Sequence, residues 1–218
     1  MKIKAAIFDL DGTLVDSLTF WGYFWSLIGE KYLGNKDFAP TPEDDKIVRT
    51  LILSEGMELI HKNYNIAENG EELTEFARVT ADEFYATKVP LKKGVREFLE
   101  HLKSQGVKMC IASASAPAHI DIAVDTCKIR GYFDAILSCA TLGKSKDKPD
   151  IYLLAAETLG ERVEDTWVFE DSLTAIETAT KIGMPTVAIF DKFNFGQERM
   201  KEIATEYIAE GETLLKLI

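Results

Sequence analysis

No stretch of this 218-residue chain comes near the ~20 successive apolar residues that a bilayer-spanning helix requires. Basic residues are in deficit: 25 Lys and Arg against 36 Asp and Glu leave a formal net charge of -11. That balance works against nonspecific nucleic-acid binding, which depends on Lys and Arg neutralising phosphates, and against an anionic membrane surface. It leaves room for a small phosphorylated substrate, because the charge of one pocket need not follow the global sum. Cysteine is scarce and odd in number. Cys110 sits in an apolar strand-like run and Cys127 on an apolar helical face, with Cys139 far from both, so buried thiols and a reducing cytoplasm are expected rather than a disulfide framework. The opening Met1-Lys2-Ile3-Lys4 runs straight into an apolar segment and has neither the h-region nor the cleavage site of a secretory leader. The three histidines, His61, His101 and His119, fall in no motif, and no internal repeat or low-complexity tract is present. The length suits one large domain or a domain carrying a smaller insert.

What the chain does have is concentrated near its start, in Ile7-Phe8-Asp9-Leu10-Asp11-Gly12-Thr13-Leu14-Val15-Asp16-Ser17. An apolar run over 3–8 ends in two carboxylates at i and i+2, and strand alternation sends such a pair to one side. Two anions at the mouth of a strand repel each other unless a cation is held between them. A hard dication with oxygen ligands answers that need, and Mg2+ commonly takes one or two carboxylates plus substrate phosphate. Gly12 allows the sharp turn and close backbone approach to a ligand. The bland alternative is an Asp-Gly turn, which the remainder of the chain disfavours by supplying partners.

Helical periodicity begins after Asp16 and lasts about seventy residues. Phe20, Phe24, Leu27 and Ile28 form one stripe, with Trp21 and Trp25 beside it. Pro42 opens a second helix with Glu43, Asp44 and Asp45 in its first turn, where acids favour the dipole; Ile47, Leu51, Met57 and Ile60 are expected on its buried face. Asn69-Gly70 introduces a third helix carrying Leu73, Phe76, Ala77 and Phe84, and Pro90 closes the region. Residues 17–88 therefore read as an all-helical insert, with 1–16 and 89–218 forming an α/β core. From Lys92 onward strand and helix alternate, the signature of a doubly wound parallel, Rossmann-like sheet. Strands are expected at 107–112, 135–137, 167–169 and 186–190, with a last short one near Tyr207-Ile208. In open parallel sheets ligands bind beyond the carboxyl ends of the strands, so residues just after a strand carry the chemistry.

Three further segments meet that criterion. Ala112-Ser113-Ala114-Ser115 offers a hydroxyl and backbone N–H groups to an anion; alternatively, Ser115 simply caps the helix at Pro117. Gly143-Lys144-Ser145-Lys146-Asp147-Lys148-Pro149-Asp150 holds three lysines, and one reaching a phosphate would offset charge growing in a transition state. Glu170-Asp171-Ser172 places a second acidic pair at a strand end, which with Asp9 and Asp11 completes an oxygen shell for Mg2+.

These four segments, in this order, resemble the four motifs of the haloacid dehalogenase superfamily, over about two thirds of the chain. The resemblance implies that Asp9 is a nucleophile and Asp11 an acid/base, and that Ser113 and Lys146 hold phosphoryl oxygens. It implies a metal set of Asp9, Asp11, Glu170 and Asp171, with Asp171 the direct ligand, Glu170 acting through water or by orienting other groups, and Asp11 contributing its backbone carbonyl. Gly12, Thr13 and Ala114 are placed around the substrate. The family's Lys-Pro-x-Pro-Asp pattern selects Lys146; Asp147 replaces the usual first proline, which keeps Lys148 as second choice. The acid at position 11 argues against the dehalogenase and ATPase branches. The insert resembles the family's small helical cap, expected to close over the site and choose the substrate. Within it Trp21, Phe24 and Trp25 are either an aromatic wall or the cap's own core, and Arg49 and Lys46 either meet a second anionic group or face solvent.

The implied function is a Mg2+-dependent phosphatase of a small phosphate monoester, acting as a cytoplasmic monomer on a phosphorylated metabolite. Which ester is left open. A β-phosphoglucomutase-like mutase is the rival within the superfamily; its histidine near the Trp21 position is missing here. A phosphorylatable receiver domain is the rival from another class, but it needs about half this length and an Asp after the third strand, where Ile136-Leu137 provides none.

Overall fold

The structure, a computed structural model, describes residues 3–49 and 51–218; Met1, Lys2 and Thr50, including the start of the leader reading above, lie outside the described residues. The chain divides into two compact units, Met1–Leu18 with Val89–Ile218, and Thr19–Lys88.

The first unit is built on β1 (Ala5–Phe8), β2 (Lys108–Ser113), β3 (Ala135–Ser138), β4 (Thr166–Glu170), β5 (Thr186–Ile189) and β6 (Glu206–Ile208). They form one sheet in the order β3-β2-β1-β4-β5-β6, with every pairing parallel. This is the doubly wound sheet that the alternation predicted. The order reverses beside β1, which pairs with β2 on one side and β4 on the other. Near-continuous apolar strands such as Ala5-Ala6-Ile7-Phe8 suit it, because a parallel sheet is covered on both faces. Phe8 pairs in register with Phe169, and their rings stack at 4.4 Å. That contact fixes β1 against β4 one residue short of the first carboxylate.

The second unit contains α1 (Phe20–Ile28), α2 (Pro42–Val48), α3 (Leu53–Tyr64) and α4 (Gly70–Thr87), with a π-helical turn at Gly29–Leu33 after α1. The sequence reading ran one helix through Ile47, Leu51, Met57 and Ile60, and the structure corrects it. The helix stops at Val48 and restarts at Leu53, leaving Ile47 and Leu51 exposed while Val48, Met57 and Ile60 are buried. The physical reason is phase: a break between the helices resets which residues face inward, so one 3.6-residue register cannot serve both. Asn69 caps α4 by accepting from the Glu72 N–H at 2.9 Å, and Thr41 caps α2 through the Asp44 N–H.

The helices of the first unit are α5 (Val95–Ser104), α6 (Pro117–Thr126), α7 (Cys139–Leu142), α8 (Asp150–Leu159), α9 (Leu173–Lys181) and α10 (Gln197–Ile203). Ile151, Tyr152 and Ala155 of α8 and Ala175 and Ala179 of α9 pack on Ile7, Cys110 and Val168 of the sheet. The small residues on α9 let the helix lie close to the strands. The three cysteines are free and buried; burial, with the charge of Asp134 adding to it, pushes the Cys110 thiol up to about 12. Among the described residues no helix is long and apolar enough to cross a membrane.

Candidate active site

The carboxyl ends of β1, β2 and β4 and the loop after α7 bring their polar residues together. Asp9 leaves β1 with its N–H still bonded to the Phe169 carbonyl at 2.9 Å, so the backbone that carries it is an extension of the sheet. Asp9, Glu170 and Asp171 are buried, and each offers a carboxylate oxygen within 4.8 Å of the others. Lys146 reaches into this group: its Nζ lies 2.5 Å from Asp9 Oδ1 and 2.5 Å from Glu170 Oε1. Lys148 and Lys144 point away, against Asp147 and Asp150, with more than half of each side chain exposed. Of the three lysines, Lys146 is the one the fold places beside Asp9 and Glu170.

The two acids of the β4 end have different surroundings. Glu170 is surrounded by donors: Lys146 Nζ and Tyr152 Oη on Oε1, and the N–H groups of Asp171 and Ser172 on Oε2. Asp171 accepts from Thr13 Oγ1 at 3.3 Å and from Asn194 Nδ2 at 2.5 Å. Gly12 packs on the same carboxylate. Its φ is +78°, and a Cβ there would come 2.0 Å from Asp171 Oδ2, so both conformation and space demand glycine.

Asp11 is turned elsewhere. Its Oδ2 accepts from Ser115 Oγ at 2.6 Å, and its carboxylate is outside the group formed by Asp9, Glu170 and Asp171. Ser115 thus holds the Asp11 side chain toward the β2 loop, apart from the three carboxylates. Ser113 is fully buried, its Oγ accepting from the Ser115 N–H at 3.0 Å, and Ser138 Oγ ties down the Ser115 carbonyl at 2.8 Å. Ser115 does not cap α6, whose N-cap position is Ala116 and has no side-chain cap.

Burial is the main cause of the electrostatic strain. It pushes the Asp9 carboxyl up to about 7; the Lys146 charge opposes this, and the Glu170 and Asp11 charges add to it. Asp171 is raised well above the ordinary carboxylate range by burial and then by Asp9 and Glu170, with Lys92 in opposition. Burial disfavours the Lys146 ammonium, yet Asp9 and Glu170 more than compensate and raise its pKa. One lysine among three buried carboxylates leaves the group short of positive charge. A donor set made only of carboxylate oxygens suits a hard dication such as Mg2+ rather than a thiolate- or imidazole-seeking metal. The residues fit the ion.

Trp21 and Arg49 belong to the helical unit. Arg49 donates from Nε to Asp45 Oδ2 at 3.0 Å and lies 5.5 Å from the Trp21 ring centre, while Trp25 Nε1 donates to Asp45 Oδ1 at 2.7 Å. Only 13% of the Arg49 side chain is exposed, so it does not lie on a solvated helix face. Phe24 and Trp25 are core of that unit, and Trp21 packs against both.

Sequence reasoning passed over Tyr152, Asp191 and Asn194. Asp191 could have been found, since it follows the apolar run of β5 as Asp9 follows β1. Tyr152 lies two residues beyond the lysine-bearing segment and reads as core of the helix that follows. Asn194 leaves no local signal, because its contact with Asp171 depends on how a loop closes.

A parallel sheet whose buried charges gather at its carboxyl ends, beside the strand where the order reverses, defines an α/β enzyme of the doubly wound class. The chain belongs to the haloacid dehalogenase-like hydrolases, whose family model matches residues 3–183. It is similar to a phosphorylated carbohydrates phosphatase of Thermotoga maritima, 24% identical over 97% of this chain and 97% of the relative. A crystal structure of beta-phosphoglucomutase from Clostridium difficile superposes with a TM-score of 0.67 at 21% identity, covering 95% of this chain and 91% of that one. A CbbY variant from Rhodobacter sphaeroides, in complex with xylulose-(1,5)bisphosphate, gives 0.70 at 20% identity over 94% and 93%. At these identities the two structures speak for the fold.

Proposed function

We propose that this chain is a Mg2+-dependent phosphatase that hydrolyses a small phosphate monoester, a sugar phosphate or similar, through a phosphoryl group carried transiently on Asp9. The observation that carries this reading is the position of Asp9: a buried carboxylate at the end of the central strand, held by Lys146 beside Glu170 and Asp171. Asp9 attacks phosphorus and the ester oxygen departs. Asp11, held by Ser115 outside the acidic group, gives that oxygen its proton and then takes one from the water that cleaves the acyl phosphate. Lys146 has three N–H donors, two of them directed at Asp9 and Glu170, which leaves one for a phosphoryl oxygen. Ser113 accepts from the Ser115 N–H and keeps its own proton to donate to the same group, so the two residues hold the phosphoryl group in line.

Asp9 and Asp171 would bind the metal directly, with the Asp11 main-chain carbonyl. Glu170, its oxygens already taken by Lys146, Tyr152 and two N–H groups, orients its neighbours. Bound there, Mg2+ would reduce the repulsion between carboxylate and phosphate. Gly12, Thr13 and Ala114 line the approach, and the choice of ester is assigned to the helical insert, including Trp21 and Arg49. Action on phosphorylated carbohydrates, the substrates named for the Thermotoga relative, fits this reading, as do a cytoplasmic setting for three unpaired thiols and a monomeric state.

The test is phosphate release from a panel of sugar phosphates, phosphoglycolate and nucleotides, with and without Mg2+. Asp9→Asn is expected to reduce metal-dependent release to background; unchanged turnover refutes the nucleophile. Interconversion of β-glucose 1-phosphate and 6-phosphate in place of release would establish the mutase instead.

A further inference from the structure

Asp171 is reached by a residue outside the four motifs. Asn194, in the loop between β5 and α10, directs its Nδ2 at two oxygens of the same residue: the carboxylate Oδ2 at 2.5 Å and the main-chain carbonyl at 3.1 Å. Both are acceptors, so the amide must present its nitrogen there, and its orientation is set by chemistry rather than by choice of fit. Thr13 Oγ1 takes the other carboxylate oxygen. Asp171 is thereby gripped from both sides and along its backbone.

The loop that carries Asn194 is itself fastened. Asp191 accepts from the Phe193 N–H at 2.9 Å and from Lys92 Nζ at 3.1 Å, and its carbonyl receives the Asn194 N–H. Gln197 Nε2 donates to the carbonyls of Asp191 and Asn194, and Tyr207 Oη on β6 donates to Gln197 Oε1 at 2.9 Å. Gly196, at φ +77° with Leu173 Cδ2 2.5 Å from where a Cβ would stand, completes a close turn before α10. A loop tied at this many points is a firm mount, and through Asn194 it donates directly to Asp171.

We propose that Asn194 is a positioning residue for Asp171, and that it sets the affinity of the site for a divalent cation by holding that carboxylate in the orientation that binds. This rests on the metal reading given under Proposed function. Outer partners that orient a ligand are commonly worth about 10- to 100-fold in metal affinity.

The experiment is calorimetric titration of the metal-free full-length protein with Mg2+, followed by the Mg2+ dependence of phosphate release. Asn194→Ala is expected to weaken Mg2+ binding about 10- to 100-fold. The Mg2+ concentration for half-maximal turnover should rise by the same factor, with turnover recovered at saturating metal and the KM for the ester unmoved. A purely structural loop tie would lower the melting temperature without this shift. Equal Mg2+ affinity in wild type and variant overturns the proposal and leaves the metal reading intact. A wild type that binds no Mg2+ overturns the metal reading, and the proposal with it. If Asn194→Ala does not fold, Gln197→Ala decides: Mg2+ binding weakened several-fold supports the clamp, and unchanged affinity overturns it.

Discussion

The two units of this chain bury different materials. In the sheet unit the interior includes Asp9, Ser113, Glu170, Asp171 and Asp191, whereas among the described residues of the helical unit the buried polar side chain is Thr80, which donates to the Phe76 carbonyl of its own helix. The helical unit packs mainly rings: Phe24 and Trp25, with Phe20, Trp21, Phe38, Tyr64 and Phe76 against them. Aromatic packing supplies stability at little electrostatic cost. Removing carboxylates from water costs several kcal/mol per ion and is recovered only with good partners. A fold retains that cost where chemistry needs it. The difference therefore separates a unit whose interior serves packing from one whose interior is compromised for reaction.

The strongest way to break this comparison is to remove Lys146 from the acidic group. Lys146→Met leaves Asp9 and Glu170 buried without their partner, and losing one side of a buried pair costs about 3–5 kcal/mol. The variant should melt well below wild type without metal, and Mg2+ should restore part of the difference. Turnover should fall roughly 10²- to 10³-fold, as for loss of a donor to developing charge. Denaturant unfolding with and without Mg2+ checks this. A Lys146→Met protein as stable as wild type when metal-free would show that the acidic group carries no unbalanced charge.

How much was legible in advance divides along the same line. Asp9, Asp11, Ser113, Glu170 and Asp171 announce themselves because a parallel strand is a short apolar run with an abrupt end, and polarity at that end is visible in one dimension. The sheet itself followed from alternation, down to the short strand at Glu206–Ile208. The α2–α3 break was hidden because apolar residues on both sides of it continue a plausible helical stripe, and nothing local says that Ile47 and Leu51 turn outward. Arg49 stayed open between an anion contact and a solvated face, since its burial depends on Trp21 and Asp45 closing around it. Asn194 and Tyr152 act across more than fifteen residues of sequence on Asp171 and Glu170, and only the folded chain puts them there.

A second variant sharpens the comparison from the helical side. Phe24 is fully buried, stacked on Phe20 at 5.4 Å and near Phe76 at 5.9 Å. Phe24→Ala should cost about 3 kcal/mol or slightly more through lost transfer energy and the cavity left behind. Unlike the lysine variant, it should lose the same stability at pH 5 and pH 8, and Mg2+ should not offset the loss. A pH-dependent loss at Phe24 would mean that the helical unit is not governed by packing alone.

A further expectation is a drift of wild-type stability with pH in the absence of metal. Asp9 binds its proton more tightly folded than unfolded, with its carboxyl raised from 3.8 to about 7 by burial foremost, and Asp171 is displaced in the same direction. Such a group contributes stability while the folded form is protonated, and the contribution disappears as pH rises from the unfolded value through the folded one. The metal-free protein should therefore lose stability between about pH 4 and pH 7. Surface carboxylates such as Asp125 and Asp165, lowered by Arg130 and by Lys4 with Arg162, act in the opposite sense but only at lower pH. A bound dication replaces those protons, so saturating Mg2+ should flatten the profile, and apparent Mg2+ affinity should increase over the same interval. Melting curves at half-unit pH steps, with chelator and with Mg2+, measure both. A metal-free profile that is flat or rises with pH would mean that the buried carboxylates are already balanced, and the contrast between the two interiors would lose its electrostatic basis.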